Sequence, residues 1–248
     1  MRLIYSSLAF VLLFLCDVHN VYAANSITVD LAEDYVDISA GFDGAHISLF
    51  GVREGKGDIA IVIRGPARDM IVRRKAQLAG AWINRSSKKF KDTPIYYDYA
   101  LSDISLDSQI PDSLKNVGVG LSGLKHKLHD IDSKDKVRAE FRDALIRNKQ
   151  VEKLFPKNSK EVKFLNDRFF RADFYIPANV PVGEYKIQTY YFSNSKILDI
   201  KTNILRVEQV GMSAGIKSFS KSNSFIYGVA CVFLAIFAGW FSNRVRRA

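Results

Sequence analysis

The sequence predicts a mainly β protein, an immunoglobulin-like antiparallel sandwich with a helical insertion, followed by one C-terminal transmembrane helix. Three observations lead to this fold class. Short apolar or alternating runs separated by turn residues fill residues 27–101 and return at 161–210, as is typical of a sandwich. A charged segment with helical apolar spacing lies between these two regions. Near the C-terminus, residues 225–241 form an apolar stretch without a charge.

The first residues have the layout of a secretory signal peptide. One arginine precedes a short apolar run, and a polar stretch then ends in Val21-Tyr22-Ala23. A positive start, a short apolar core and a small-x-small end are the three parts of such a peptide. Cys16 suggests a lipoprotein as the alternative, but Leu15 stands where lipid attachment needs a small residue. We therefore predict a signal peptide at 1–23 and an exported β-sandwich domain at 24–210.

The early strands are short and are separated by acidic or glycine-containing turns. They are predicted at ITVDL (27–31), YVDIS (35–39), HISLF (46–50), GDIAIVI (57–63), MIVRR (70–74), AWIN (81–84) and IYYDYAL (95–101). Alternation indicates strands with one buried face, whereas a continuous apolar run indicates a strand that is buried on both faces. The fourth run is continuously apolar in its second half and is ended by Gly65-Pro66. It is therefore the predicted central strand.

The helical insertion is predicted at about 104–157. A weak helical run around 113–128 precedes the more strongly patterned segment at 132–155. One face of that segment, at helical spacing, is formed by Val137, Phe141, Leu145, Asn148 and Val151 or Glu152. Asp132 is the predicted N-cap, and Pro156 marks the end of the helix. Because the stripe lasts only about three turns, we expect the helix to pack on the sandwich rather than in a coiled coil.

Strands return after the insertion. They are predicted at EVKFL (161–165), RFFRADFYI (168–176), EYKIQTYYFS (184–193) and KILDIKTNILRVEQV (196–210). In immunoglobulin-type sandwiches, a tyrosine near the start of the penultimate strand lies two residues before a core position. Tyr185 and Ile187 would occupy these two positions. The sequence leaves open whether the early and late strands form one sandwich or two small ones; we favour two sheets that share one core.

The apolar stretch at 225–241 is predicted to cross a membrane. Its length is at the short edge of the roughly 17 to 25 residues that a span needs, and it is apolar on all faces, unlike a core helix. A linker at 211–224 precedes it. The three arginines of the tail at 242–248 are placed in the cytoplasm by the positive-inside bias. Ala235 and Gly239 are candidates for contact with another span, although ordinary lipid-facing composition explains them equally well.

The basic charge of the chain is concentrated in one region. The formal net charge is +10, and residues 52–91 hold eleven basic against three acidic residues, whereas 24–51 hold five acidic residues and no Lys or Arg. Export of this domain would exclude nucleic acid as its natural partner. The candidates for contact with an anion or a partner are Arg64, Arg68, Arg73, Arg74 and Lys75. Neutralisation by the acidic first strands is the alternative, and regular alternation would place Arg73 and Arg74 on opposite faces.

No catalytic grouping is recognisable in the sequence. Residues 118–123 spell G-x-G-x-x-G but lack the βαβ context that dinucleotide binding requires, so we predict a loop there. His126 and His129 could begin a metal site, but a third ligand of firm identity is missing. Cys16 belongs to the predicted signal peptide and Cys231 to the predicted span, which leaves the exported domain without a disulfide. We expect no enzyme activity, no cofactor and no metal.

Several segments together resemble the alphaproteobacterial single-span transmembrane protein family of uncharacterised function. The resemblance rests on ITVDLAEDYVDISAGFDGAHISLFG, on DIAIVIRGP with IVRRK and AWIN after it, on FRADFYIPANVPVGEYKI, and on the terminal span with arginines behind it. It implies a bacterial inner-membrane protein with a periplasmic N-terminal domain and a cytoplasmic C-terminus.

The same resemblance suggests a role without establishing an activity. Members of the family tend to be encoded beside permeases of the sulfite-exporter type. We therefore expect a non-catalytic accessory protein whose partners are the lipid bilayer and a multi-span permease. A periplasmic binding module for an anionic ligand or an envelope polyanion is the alternative.

Overall fold

The structure consists of a β domain with a helical insertion and a separate C-terminal helix. The computed structural model describes residues 26–78, 80–128, 135–211 and 219–245. The strands are β1 (Ile27–Leu31), β2 (Tyr35–Ile38), β3 (Gly44–Arg53), β4 (Asp58–Arg64), β5 (Ala67–Leu78), β6 (Ala81–Pro94), β7 (Tyr97–Leu101), β8 (Lys160–Glu161), β9 (Lys163–Phe164), β10 (Phe169–Pro177), β11 (Gly183–Ser193) and β12 (Lys196–Gln209). A 3-10 turn at Ile104–Asp107 is followed by the helices α1 (Asp112–Asn116), α2 (Gly120–Lys127), α3 (Asp135–Val151) and α4 (Ser224–Val245). The predicted signal peptide at 1–23, the predicted N-cap Asp132 and most of the predicted linker lie outside the described residues.

Two sheets face each other across one hydrophobic core. One sheet has the order β1-β3-β10-β9 and the other the order β2-β12-β11-β4-β7-β8. Side chains along β10 alternate between buried and more exposed positions, so one face of its sheet covers the core. In β4 the residues from Ile59 to Ile63 are all buried, and the strand lies between β11 and β7, which confirms the predicted central strand. The same buried cluster includes residues of both sheets and of the helical insertion, so the early and late strands form one sandwich.

Most strand pairs are antiparallel, as predicted. Two short pairs are parallel, β2 with β12 and β7 with β8. The single strand predicted at 161–165 is wrong, because β8 and β9 are two-residue strands that belong to different sheets. Between them Val162 is buried and its N–H donates to the carbonyl of Leu101. The chain therefore changes sheets at Val162.

The end of the sandwich near β11 has the predicted tyrosine arrangement. The hydroxyl of Tyr185 donates to the carbonyl of Pro181 at 2.6 Å, and Ile187 is fully buried in the core. Before them, Gly183 has a φ of +142°, and a Cβ at this position would lie 2.7 Å from Pro66. Only a residue without a side chain allows β11 to begin this close to the end of β4.

The helical insertion packs as predicted over only part of its length. Phe141 and Leu145 of α3 are buried, but Asn148 is exposed and the side chain of Val151 is 79% exposed. The predicted apolar stripe is therefore wrong after Leu145. The chain turns back at Lys153, which has a φ of +60°, so the packing continues through the residues that follow this turn and not through the last helical turn. The predicted loop at 118–123 is also wrong, because α2 begins at Gly120.

A long two-stranded ribbon, formed by β5 and β6, extends the pair formed by β4 and β7. The antiparallel register continues from β4 and β7 through Gly65 and Pro66, which are bonded to Tyr96 and Ile95, into β5 and β6. In the described part of the chain, β5 and β6 pair only with each other. Register shifts after Arg68 and after Arg74 mark β-bulges, which bend and twist a strand pair. The short strands predicted at 70–74 and 81–84 thus belong to one hairpin with strands of 12 and 14 residues.

The C-terminal helix α4 contains the predicted span at 225–241. It has 22 residues and is therefore about 33 Å long, which suits the hydrocarbon core of a bilayer. None of its described apolar side chains is buried in the β domain. The helix is long and apolar enough to cross a membrane.

Candidate functional site

The ribbon is divided into a covered part and a bare part. We call residues 67–72 and 88–94 the basal segment; in it, Val72 and Phe90 are buried, and β5 lies against α3. We call residues 73–78 and 80–87 the distal segment; each of its residues is exposed except Ala76, which is half-buried. The distal segment therefore adds almost nothing to the core and presents its side chains to the surroundings.

The ribbon carries a large excess of positive charge. Between Met70 and Lys91 it has seven basic residues and no acidic residue. The seven are Arg73, Arg74, Lys75, Arg85, Lys88, Lys89 and Lys91. Sequence reasoning selected only those on β5; the four on β6 join them because the hairpin at Gly80 brings the two strands together.

Few of these charges are neutralised by the protein itself. Arg74 pairs with Glu140 of α3 at 3.1 Å, and Lys89 pairs with Asp69 at 2.7 Å. The hydrogen bond from Lys89 lowers the pKa of the Asp69 carboxyl. Both pairs are exposed, and exposed ion pairs contribute little to stability. Within the described ranges, the other five of these seven cations form no ion pair.

The hydrogen bonds of Arg64 distinguish it from the other predicted contact residues. It lies in the body, at the end of β4, and its guanidinium donates to the carbonyls of Val117 at 2.7 Å and Gly118 at 3.0 Å. It also donates to the side chain of Gln188. These bonds hold the turn between α1 and α2 against the larger sheet. The guanidinium of Arg64 is thus hydrogen-bonded within the body of the protein.

The other four predicted residues, Arg68, Arg73, Arg74 and Lys75, lie on β5 and are exposed. Along a regular strand Arg73 and Arg74 point to opposite faces, and Arg74 is the one that reaches Glu140. A cleft of about 480 Å³ between β5 and α3 is bordered by both arginines and also by Glu140 and Asp143. Because this cleft carries both signs of charge, it suits a polar protein surface better than a simple anion.

A buried polar cluster lies on the other strand of the long hairpin. The carboxylate of Asp98 accepts hydrogen bonds from Lys160 Nζ at 2.6 Å and from the hydroxyl of Tyr96 at 3.2 Å. Burial raises the pKa of the Asp98 carboxyl, and the Lys160 ammonium opposes this shift. Burial also raises the pKa of Tyr96 well above its ordinary value, so its hydroxyl stays neutral and donates. The cluster joins β7 to β8, and sequence reasoning missed it because Asp98 and Lys160 are 62 residues apart.

The remaining predicted candidates are dispersed. His126 is exposed near the end of α2, and His129 lies outside the described residues. In the part of the chain that the structure describes, no group of three or more His, Cys, Asp or Glu could hold a metal. Ala235 and Gly239 are exposed on α4, and a spacing of four places them on one face. A Cβ at Gly239 would meet nothing within 4 Å, so this face is open.

The β domain and α4 together define a membrane protein with one candidate span among the residues that the structure describes. A protein family described as "Putative transmembrane protein (Alph_Pro_TM)" matches residues 26–248. The chain belongs to this family, which confirms the resemblance that the sequence predicted. No match was found among curated proteins.

One solved structure shows a distant likeness. The sporulation control protein Spo0M from Bacillus subtilis is 10% identical to this chain, with a TM-score of 0.30, over 80% of this chain and 54% of that one. The chain thus spans about half the length of that protein. A TM-score this low supports no argument about fold or function.

Proposed function

We propose that this is a membrane-tethered, non-catalytic interaction protein, and that the ribbon is the surface that contacts its partner. The observation that carries the proposal is the distal segment, whose described residues are exposed except for Ala76 and whose cations, apart from Arg74, form no ion pair. A two-stranded hairpin is at best marginally stable by itself in water. A segment of this kind adds little to the fold, so we assign it to contact with another molecule.

The partner that we favour is a multi-span permease of the sulfite-exporter type, as the family resemblance suggests. In this arrangement the β domain lies in the periplasm and the C-terminal tail in the cytoplasm of a bacterial inner-membrane protein. The tether by α4 would raise the effective concentration of the ribbon near other membrane proteins. The mixed charge of the cleft beside Glu140 and Asp143 favours a protein surface, and Ala235 and Gly239 offer a close approach to a second span.

A periplasmic binding module for an anionic ligand or an envelope polyanion is the second candidate. The run of cations on the ribbon favours it, since a row of unneutralised charge attracts polyanions. The acidic residues that border the cleft argue against a small anion at that place.

Purification of the full-length protein in a mild detergent, with mass spectrometry of the proteins that accompany it, tests the proposal. The doubly reversed variant Arg73→Glu with Lys75→Glu is compared with Lys186→Glu, which reverses an exposed charge on β11 in the body. We expect a permease to accompany the wild type and the Lys186 variant and to be lost from the doubly reversed variant.

A truncated protein that lacks residues 225–248 shows whether the permease still accompanies the β domain when α4 is absent. A permease that stays with the doubly reversed variant would show that the ribbon is not the contact surface. If the protein purifies alone in every form, the interaction proposal is overturned in favour of an anionic ligand.

A further inference from the structure

We infer that the tip of the ribbon lies in the headgroup layer of the bilayer that holds α4, with the neighbouring cations on anionic lipid headgroups. The tip is the end of the hairpin, residues 78 and 80–83. This inference rests on the proposal that the ribbon is a contact surface. It identifies lipid as what the tip contacts, while the cleft nearer the base stays available to a protein.

The tip combines large apolar side chains with flanking cations. Leu78, Trp82 and Ile83 are 65%, 69% and 42% exposed. Lys75 lies three residues before Leu78 on β5 and Arg85 two residues after Ile83 on β6, and both are exposed as well. Tryptophan concentrates at the interface between membrane and water, and Lys or Arg beside apolar residues is the chemistry of segments that lie in this layer.

The ribbon and the chain that leads to α4 leave the body at the same end. Both β4 and β12 are antiparallel to β11, so they run in the same direction. Lys186 pairs with Arg64 on one side and with Ile204 on the other. By this register Ile204 lies level with Arg64, two strand spacings or about 10 Å away, and β12 continues to Gln209 toward the end of the sheet where β5 begins.

The reach of the ribbon matches the length of the connection to the membrane. Residues 70–78 carry β5 to the tip over at most about 30 Å at about 3.3 Å per residue, because the bulge after Arg74 bends the strand. Residues 210–218 join Gln209 to the helical segment that starts at residue 219, and even fully extended they span only about 30 Å. The reach of the ribbon and the length of this connection are therefore similar, so a connection short of full extension keeps the tip within reach of the bilayer.

The charge of the ribbon indicates which kind of surface the tip contacts. Between Met70 and Lys91, the described part of the ribbon has no acidic side chain. No carboxylate there would therefore repel the phosphates of a zwitterionic or anionic lipid surface. Anionic headgroups add roughly a fivefold gain in binding for each Lys or Arg near the surface. Both the geometry and the charge therefore favour contact between the tip and the lipid headgroups on the side of the bilayer where α4 begins.

Tryptophan fluorescence of the full-length protein in vesicles tests this inference. The chain has two tryptophans, so the variant Trp240→Phe leaves Trp82 as the only reporter. It is reconstituted into vesicles of phosphatidylcholine with brominated acyl chains, either alone or with phosphatidylglycerol. We expect the emission of Trp82 to shift to the blue and to be quenched by the bromines, more strongly in the vesicles that contain phosphatidylglycerol.

Charge reversal next to the tip provides the matched comparison. In the same background, Lys75→Glu with Arg85→Glu should weaken the contact by at least about 25-fold, about fivefold for each lost cation, and abolish the quenching. Lys186→Glu, in the body, should leave it unchanged.

Two results would overturn the inference. Emission typical of water and no quenching in phosphatidylglycerol vesicles would show that the tip does not contact lipid. Equal quenching in both kinds of vesicle would remove the role of anionic headgroups. Because these vesicles contain no other protein, neither result bears on whether the ribbon contacts a permease, which the purification tests separately.

Discussion

The body of the protein and the distal segment of the ribbon use the same residue type in opposite ways. Arg64 and Arg73 lie nine residues apart in one long antiparallel pair. Arg64 donates to two carbonyls and an amide oxygen inside the body, whereas Arg73 has no ion pair among the described residues. Buried polar groups are almost always hydrogen-bonded, and exposed ones need no partner. Positive charge in this strand pair is therefore structural at Arg64 and, apart from the Arg74–Glu140 pair, available to other molecules from Arg73 onward.

The largest contrast is expected between two aromatic residues. Phe170 is fully buried, and a Cβ at Gly51 would lie 2.3 Å from its ring, so Phe170→Ala should lower the free energy of unfolding by about 3–5 kcal/mol. Trp82→Ala at the tip should change it by less than about 0.5 kcal/mol. Chemical unfolding followed by far-UV circular dichroism measures both variants in the full-length chain. A loss of similar size in the two would contradict the division between body and ribbon.

The two arginines allow the same comparison for charge. Arg64→Ala removes three hydrogen bonds and leaves the Val117 carbonyl without its side-chain donor, whereas the Gly118 carbonyl still accepts from the hydroxyl of Tyr97. We therefore expect a loss of about 2 kcal/mol. Arg73→Ala should stay within about 0.5 kcal/mol of the wild type. Thermal unfolding of the two variants in one detergent gives the difference. Equal midpoints would show that the bonds of Arg64 contribute nothing to the fold.

A smaller effect is expected for the tyrosine that fixes the start of β11. Tyr185→Phe removes the hydrogen bond to the Pro181 carbonyl and should cost about 1 kcal/mol. Tyr175→Phe is the control, because its hydroxyl also bonds to a carbonyl, that of Asp43, but the residue is exposed. Unfolding curves in the same denaturant series should rank Tyr175→Phe between the wild type and Tyr185→Phe. The reverse ranking would contradict a stabilising role for the bond to Pro181.

The smallest expected effect is on how the free energy of unfolding changes with pH. Burial raises the pKa of Asp98 in the folded protein above its ordinary value. A raised carboxyl pKa favours folding when the group is protonated, and this contribution is lost as the pH rises through the folded pKa. Between acid and neutral pH, the wild type should therefore lose stability relative to Asp98→Asn. Parallel stability curves, or a relative gain with rising pH, would contradict this sign.

The sequence predicts the strands that border the core because burial leaves a pattern. Alternation marks β10, and continuous apolarity marks β4 between its two neighbours. The sequence predicts the ribbon only as two short strands, since almost every residue of its distal segment is exposed and burial imposes no pattern there. The stripe of α3 was extended too far because helical periodicity does not show where the chain turns away, which occurs at Lys153.

The candidate site was only partly predictable for a different reason. The residues on β5 stood out by charge alone, but the cations of β6 join them through cross-strand pairing. Arg64 was grouped with the ribbon because it is close in sequence, whereas its carbonyl partners are 53 and 54 residues away. Local sequence shows which residues carry charge. Only long-range contacts show which of these residues form hydrogen bonds or ion pairs within the protein.

The central claim, that the distal segment contacts something outside the molecule, is tested most directly by photo-crosslinking in intact cells. A photoreactive amino acid replaces Gln77 in the distal segment or, as control, Lys196 at the start of β12, at the opposite end of the sheet. Both positions are exposed. The account predicts adducts with lipid or a membrane protein from position 77 and none from position 196. No adduct from position 77, or the same adducts from both, would contradict it.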